Sequence, residues 1–156
     1  MTTAVVEGWV EVPLRRFIDD ARVQLALLLL PSGQVLAQSG FSRALDVMSA
    51  CALAAAINAT SAELGRQLDG RPFGGLHYAG AQRQIYLAPL ATPRGALVLL
   101  AVFDRESSLG LVQLYVGELE QALAIAAPAP VPEEPVIAGN FEGELNRNLA
   151  ALFGRA

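Results

Sequence analysis

One apolar run that leads directly into a helix constrains the fold of this chain more than any other feature. Residues 97–103 read Leu-Val-Leu-Leu-Ala-Val-Phe, without a polar side chain, which is the pattern of a strand covered on both faces of a sheet. The run ends at Asp104, and either Ser107 or Ser108 can cap the next helix, because a serine oxygen accepts a hydrogen bond from an unpaired N–H of the first turn. The sequence therefore predicts a central strand over residues 95–103 and a helix over residues 107–127.

The longest helical pattern covers residues 42–68 and is rich in alanine. One side carries larger residues, which we assign to the domain core: Leu45, Leu53, Ile57, Thr60, Leu64 and Leu68. The opposite side carries residues that we assign to an interface with a partner: Met48, Cys51, Ala55, Asn58, Ala59, Ala62 and Arg66. This second side is small and almost uncharged, so another backbone can approach it closely. The alternative is an exposed face on which alanine only supplies helix propensity.

Shorter elements flank this long helix. A helical pattern over residues 13–22 precedes a predicted hairpin whose strands cover residues 23–30 and 34–38. Residues 2–12 can add a short strand. Three more strands follow the long helix, separated by short turns, at residues 73–79, 82–90 and 95–103. The pattern predicts an α+β fold with a five-stranded antiparallel sheet between one long helix and two shorter helices.

The charge of the chain argues against several classes of partner. Its formal net charge is -4 and its pI is about 4.9, whereas nucleic acids and anionic membranes attract clustered basic residues. All 11 basic residues are arginine, so the chain has no lysine for a phosphate-binding loop or a Schiff base. No signal peptide or membrane insertion is expected, since Pro31 ends the early apolar run far short of a spanning helix.

Few residues suggest chemistry of the chain's own. His77, the single histidine, falls in a predicted strand, where a structural or edge role is expected. Cys51, the single cysteine, cannot form an intrachain disulfide, which favours packing and a reducing compartment. Gly74, Gly75 and Gly80 lie within or after a strand rather than before a helix, so they indicate a sheet edge and not a nucleotide loop. We expect no catalytic site, no metal and no cofactor.

The C-terminal part of the chain differs from the rest. We divide the sequence into a domain at residues 1–127, a proline-rich linker at residues 128–139 and an amphipathic segment at residues 140–156. In the last segment Asn140 can cap a short helix. Its predicted docking stripe consists of Phe141, Leu145, Leu149 and Phe153. Such a helix is too short to be stable alone, so we expect it to dock on its own domain or on a partner.

The segment Phe-Asp-x-x-Ser-Ser-Leu-Gly-Leu-Val at residues 103–112, placed after an apolar strand, resembles the roadblock/dynein light-chain domain. It is most similar to the bacterial MglB-type regulators of a small Ras-like GTPase. The resemblance spans about residues 13–127, and the linker with its terminal Leu-Phe resembles the MglB-type layout. One departure is the hairpin turn, where the family commonly begins with aspartate and this chain has Leu30-Pro31. Proline presets the same turn geometry.

The resemblance implies a homodimer and a partner. In this dimer the edge strand, with Gly74, Leu76 and Tyr78 as its edge residues, extends the sheet across a twofold axis. The two long helices form a platform for an MglA-type small Ras-like GTPase. The implied function is a cytoplasmic GTPase-activating protein, recruited to a cell pole, that rearranges the catalytic residues of the GTPase. The alternative is a roadblock-domain scaffold that binds partners without altering GTP hydrolysis.

A different mechanism would use an arginine of this chain as a catalytic finger in the active site of the GTPase. An arginine finger accelerates GTP hydrolysis by about 10³- to 10⁵-fold. The residues for which this role could be considered are Arg43, Arg66, Arg71, Arg83 and Arg94. Only Arg66 lies on the side of the long helix that we assign to the interface. The others fall at helix starts and turns, where a solvated charge is ordinary. We expect none of them to act as a finger.

Overall fold

The computed structural model describes residues 4–5, 7–40, 45–129 and 138–154, and every structural statement below concerns this part of the chain. A short 3₁₀ turn, Gly8–Val10, precedes the first helix. In chain order the elements are β1 Ala4–Val5, α1 Glu11–Ala21, β2 Leu25–Leu29, β3 Val35–Gly40, α2 Val47–Asp69, β4 Leu76–Ala79, β5 Gln84–Thr92, β6 Gly95–Phe103, α3 Leu109–Ala126 and α4 Ala138–Phe153.

All strands form one antiparallel sheet in the order β1-β3-β2-β6-β5-β4. Strand β6 lies between β2 and β5, with Leu100 opposite Leu27 on one side and Leu87 on the other. Residues 97–103 are all buried, so the prediction of a central strand is confirmed. The five predicted strands are present, and the two-residue β1 extends the sheet beside β3.

Helices cover both faces of this sheet. On one face α1 and α3 pack on the sheet around Leu14, Phe103 and Val112. On the other face α2 packs through Cys51 and Ala54. Because neighbouring residues of a strand point to opposite faces, the apolar run of β6 supplies side chains to both layers. The predicted sheet between one long helix and two shorter helices is therefore confirmed.

The junction between β6 and α3 decides which serine is the cap. Ser108 is the N-cap, since its side chain accepts a hydrogen bond from the Leu111 N–H at 3.2 Å. The Ser107 hydroxyl instead donates to the carbonyl oxygen of Ala21, at the end of α1. Asp104 accepts a hydrogen bond from the Gln24 side chain at 2.6 Å. These polar contacts fix the start of α3 to the segment that joins α1 and β2.

Candidate interaction surface

Helix α2 turns a different side to the sheet from the one that the sequence predicts. Its buried residues are Ala50, Cys51, Ala54, Ala55 and Gly65. Leu53, Leu64 and Leu68 are exposed. The prediction that Cys51 and Ala55 point outward is therefore wrong, and so is the assignment of these three leucines to the core.

The sheet itself explains this orientation. Below α2 the strands already supply bulky side chains, among them Leu27, Leu87 and Leu100. A close-packed layer has a fixed volume to fill, so a helix over these leucines packs best through small residues such as Ala54. Helical spacing identifies two sides of a helix but does not say which one meets the sheet. The leucine-rich strands were the signal that could have decided it.

The remaining residues of the two predicted sides of α2 differ in how far they are buried. Met48, Ala59 and Arg66 are exposed, whereas Asn58 and Ala62 are half-buried at the border of the contact with the sheet. Leu45 and Ile57 are half-buried and pack against the α2 cluster. Thr60 is exposed, and its hydroxyl donates to the Ala56 carbonyl at 2.8 Å.

The exposed side of α2 forms a neutral strip, which we call the α2 outer face. It consists of Ser49, Ala52, Leu53, Ala56, Thr60 and Leu64, all exposed. No charged residue occurs in the sequence between Asp46 and Glu63. At a rise of 1.5 Å per residue the strip is about 24 Å long. A helix side that only faces water usually carries several charges, so this side has the character of an interaction surface.

Charged groups lie at both ends of the strip. At the N-terminus Asp46 accepts hydrogen bonds from the Met48 N–H at 3.1 Å and from the Ser49 hydroxyl at 2.7 Å. The bonds from Ser49, and then that from Met48, hold the pKa of Asp46 below its usual value. At the other end Glu63 pairs with Arg66 at 3.0 Å. Gln67 and Arg66 lower the pKa of the Glu63 carboxyl.

By length and composition alone, α2 would also be apolar enough to cross a membrane. One of its sides lies against β2, β5 and β6. A core helix of a soluble domain passes the same test of length and composition, so this character is weak evidence for a membrane span. That the protein does not insert into a membrane stays a prediction.

Strand β4 lies at one end of the sheet, as the sequence predicts for this segment. The strand begins at Leu76, so it is shorter than the predicted residues 73–79, and Gly74 precedes it. Leu76 is half-buried against the α2 cluster, and Tyr78 is exposed. Because side chains alternate along a strand, both lie on the α2 side of the sheet. An edge strand presents unpaired N–H and C=O groups that another strand can bind.

His77 and Cys51, the two residues with side chains suited to catalysis, both pack against other side chains. The Nε2 atom of His77 lies 2.8 Å from the side-chain oxygen of Gln84, and the imidazole stacks on Phe103 with 6.1 Å between ring centres. Cys51 is fully buried, and this burial raises the pKa of its thiol. The thiol packs between α2 and the sheet, where burial disfavours the thiolate, the nucleophilic form of cysteine. Within the described ranges no cluster of three His, Cys, Asp or Glu side chains is placed to hold a metal ion.

The C-terminal segment contains the predicted helix, α4. The helix begins at Ala138, two residues before the predicted cap, so Asn140 lies inside it. Leu145, Leu149 and Phe153 are exposed. The side chain of Phe141 and residues 130–137 of the linker lie outside the described residues. The docking role of the stripe stays a prediction.

Comparisons with known proteins identify the fold. No family model and no curated protein matches this sequence. Among solved structures, Myxococcus xanthus MglB is 23% identical, with a TM-score of 0.69, over 77% of this chain and 95% of that chain. The gliding protein MglB from Thermus thermophilus is 24% identical, with a TM-score of 0.69, over 79% of this chain and 94% of that chain.

A more distant match is the roadblock/LC7 domain from Streptomyces avermitilis. It is 15% identical, with a TM-score of 0.58, over 76% of this chain and 94% of that domain. At such identities the likeness concerns the fold, and it agrees with the fold that the segment at residues 103–112 implies. The chain thus has the roadblock fold, which MglB shares.

Proposed function

We propose that this protein is a homodimeric regulator of a small Ras-like GTPase and acts as a GTPase-activating protein. The observation that carries the proposal is the α2 outer face. It is neutral, apolar and exposed beside the open edge of β4, on a fold shared with MglB. Neither surface is covered within the described chain, and burial of exposed apolar area is the main favourable term in protein association.

The dimer that we propose uses both surfaces at once. Strand β4 pairs with β4 of a second copy, which continues the sheet across a twofold axis. Helix α2 is tied to the start of β4, because an atom added at Gly65 would lie 2.6 Å from the Phe73 nitrogen. A continuous sheet needs a twofold axis perpendicular to it, and this axis keeps both α2 helices on the same side of the sheet. Their outer faces then form one apolar platform for the GTPase.

In this proposal the platform supplies binding energy and no reacting group. Small GTPases carry their own water-positioning residue on a mobile loop. A surface that binds the competent conformation of that loop more tightly than the others raises its population. The six residues of the α2 outer face are neutral, which fits a template and not a charged group inserted next to the phosphates.

A matched pair of substitutions tests this assignment. Leu53 on α2 and Leu114 on α3 are similarly exposed, at 63% and 58%, and lie on opposite sides of the sheet. We expect Leu53→Arg to weaken the dimer or GTPase binding, because it would bury an unpaired charge. Leu114→Arg should leave both unchanged. Light scattering gives the oligomeric state, and GTP turnover by the small GTPase, with and without protein, gives the activity.

The outcomes separate the proposal from its alternatives. A Leu53→Arg protein that dimerises and stimulates turnover like the wild type would show that the α2 outer face is not the platform. If the wild-type protein binds the GTPase and leaves GTP turnover unchanged, it is a roadblock-domain scaffold instead. Circular dichroism of both variants checks that each exposed substitution leaves the domain folded.

A further inference from the structure

We infer that the groove between α1 and α3 binds α4, the C-terminal helix of the same chain. This docking site lies on the side of the sheet opposite α2. It does not depend on the proposed function, since neither the GTPase nor the dimer takes part in it.

The groove has an apolar floor and an exposed apolar lip. It encloses about 260 Å³. Phe17 and Leu119 form its buried base, and Tyr115 and Ala122 are half-buried along it. Ile125, near the end of α3, is 86% exposed. Burial of an exposed isoleucine is favourable, so a helix that covers Ile125 gains free energy from this contact alone.

Helix α4 has the shape and surface that such a groove requires. Leu145, Leu149 and Leu152 are spaced four and three residues apart, which places them on one side of the helix. All three are exposed, as is Phe153. Arg147 falls on the opposite side by the same spacing. A helix of 16 residues is close to the limit of stability in isolation, so it gains stability from a surface that buries its leucines.

The tether makes the chain's own helix the preferred occupant. Helix α3 ends at Ala126, next to Ile125 on the lip, and α4 begins at Ala138. The intervening residues 127–137 can span up to about 36 Å, far more than two neighbouring antiparallel helices need. A tether of this length raises the effective concentration of the attached segment to about the millimolar range. A separate protein with a similar stripe would have to exceed that concentration to compete.

An antiparallel arrangement with Ala138 level with Ala126 brings the stripe over the groove, and the tether is long enough to allow it. Both helices rise about 1.5 Å per residue, so α4 running back from the end of α3 places Leu145 level with Leu119. Leu149 then lies level with Tyr115. These are residues of the groove itself. In this register the leucines of α4 lie over the apolar floor of the groove.

Charges at the rim are compatible with this arrangement. Arg16 and Asp20 form an exposed pair at 3.4 Å, and Glu118 on α3 is exposed beside them. These groups border the apolar floor and stay in contact with water when a helix covers it. Arg147 also stays in water, on the outer side of α4. Docking thus buries apolar surface without burying an unpaired charge, which would be costly.

The structure shows α4 away from the groove, since residues 145–153 of this helix are all exposed. The tail thus has a free arrangement and a docked one. In the docked arrangement the α2 outer face stays open, because the groove lies on the other side of the sheet. The docked α4 therefore leaves the α2 outer face free to bind a partner.

Hydrogen exchange of the full-length protein tests the docking. We expect amides in residues 138–153 of the wild type to exchange at least about tenfold more slowly than in an unstructured peptide. Ile125→Glu on the lip should remove this protection. Leu114→Glu, on the same helix outside the groove, should retain it. Wild-type amides that exchange at the unstructured rate, or equal protection in both variants, would overturn the inference.

Two further variants probe α4 itself, and a crosslink identifies the occupant. Leu149→Gln should remove the protection, whereas Arg147→Gln on the opposite side should not, since glutamine and leucine have similar helix propensity. The double variant Tyr115→Cys/Leu149→Cys, whose two positions lie level with each other in this register, should oxidise to a disulfide within one chain. The product migrates as a monomer on a non-reducing gel. A product of dimer size would mean that a second copy fills the groove, and the inference would fail.

Discussion

Two capping side chains fix the helices that carry both proposed surfaces. Asp46 caps α2, and Ser108 caps α3. Asp46 also carries a charge, which interacts favourably with the N-terminal end of the helix dipole. Its hydrogen bonds with Ser49 and Met48 favour the ionised carboxylate and lower its pKa. The start of α2 is therefore sensitive to acid, whereas the start of α3 depends on a hydroxyl that does not titrate.

Asp46→Asn should remove a pH-dependent part of the stability. Asparagine caps a helix about as well as aspartate, so the variant loses mainly the charge. A lowered folded pKa means that the contribution is present above the unfolded pKa and is lost as the pH falls through the folded pKa. The wild type should be the more stable protein at neutral pH. The difference should shrink as the pH falls below the usual aspartate pKa and vanish below the lowered pKa of the folded protein.

Denaturant midpoints of both proteins across the acid range give this difference directly. The test depends on its change with pH and not on its size at one pH. A difference that stayed constant from neutral pH to strong acid would show that the Asp46 charge makes no contribution of this kind.

At the scale of elements, two glycines in helices have opposite surroundings. In α2 an atom added at Gly65 would lie 2.6 Å from the Phe73 nitrogen and 2.8 Å from the Arg71 carbonyl oxygen. The chain that leaves α2 crosses back against its last turns and leads from there into β4. In α3 an atom added at Gly117 would meet nothing within 4 Å. Gly65 is therefore required by a close approach, and Gly117 is not.

Alanine at these two positions should change stability in opposite directions. Gly65→Ala should cost about 1–3 kcal/mol, because backbone atoms must move to admit the methyl group. Gly117→Ala should add about 0.5–1 kcal/mol, because glycine disfavours a helix interior. Chemical denaturation measures both values. A stabilised Gly65→Ala protein would show that the segment at Arg71–Phe73 yields without cost, and a destabilised Gly117→Ala protein would indicate a partner on that side of α3.

The sequence predicted elements better than their contacts. The central strand at residues 97–103 could be predicted because a strand buried on both faces excludes polar side chains, whichever strands lie beside it. Which side of α2 meets the sheet could not be predicted in the same way. Leu53 and Leu64 have the helical spacing expected of core residues, but Leu27 and Leu100 of the sheet already fill the space between the sheet and the helix. The sequence placed the candidate site on the long helix and the edge strand, and its location stays a prediction. Cys51 and Ala55, which it assigned to that site, belong to the packing between α2 and the sheet. How well the side chains of a helix fill the space above a sheet depends on both segments, so the residue pattern of the helix alone does not predict it.

At the scale of the whole molecule, the two sides of the sheet have different roles in our proposals. The α2 side offers a neutral strip, and the other side offers a groove next to the origin of the tail. Arginine side chains are distributed outside the neutral strip. Arg66 pairs with Glu63, and Arg71, Arg83 and Arg94 are exposed in or beside turns. Arg43 lies outside the described residues. This distribution favours a regulator that acts through shape.

Arg66→Ala therefore tests the mechanism of the proposed GTPase regulator. Arg66 is the arginine on α2, next to the α2 outer face, so its loss should weaken binding to the GTPase. Saturating concentrations of the variant should restore most of the maximal rate of GTP hydrolysis. An arginine finger contributes about 10³- to 10⁵-fold to the rate itself, and no concentration of protein restores that. Single-turnover hydrolysis measured against protein concentration separates the two.

Arg94→Ala, in the turn between β5 and β6, is the matched control, and we expect it to leave both the concentration dependence and the maximal rate unchanged. If Arg66→Ala formed the complex normally but lost stimulation at saturation, the guanidinium would act directly on the transferred phosphate. The template mechanism would then be wrong, because this protein would supply a catalytic group to the active site of the GTPase. A shifted concentration dependence with an intact maximal rate would instead mean that the arginine contributes to binding, while the GTPase performs the hydrolysis with its own residues.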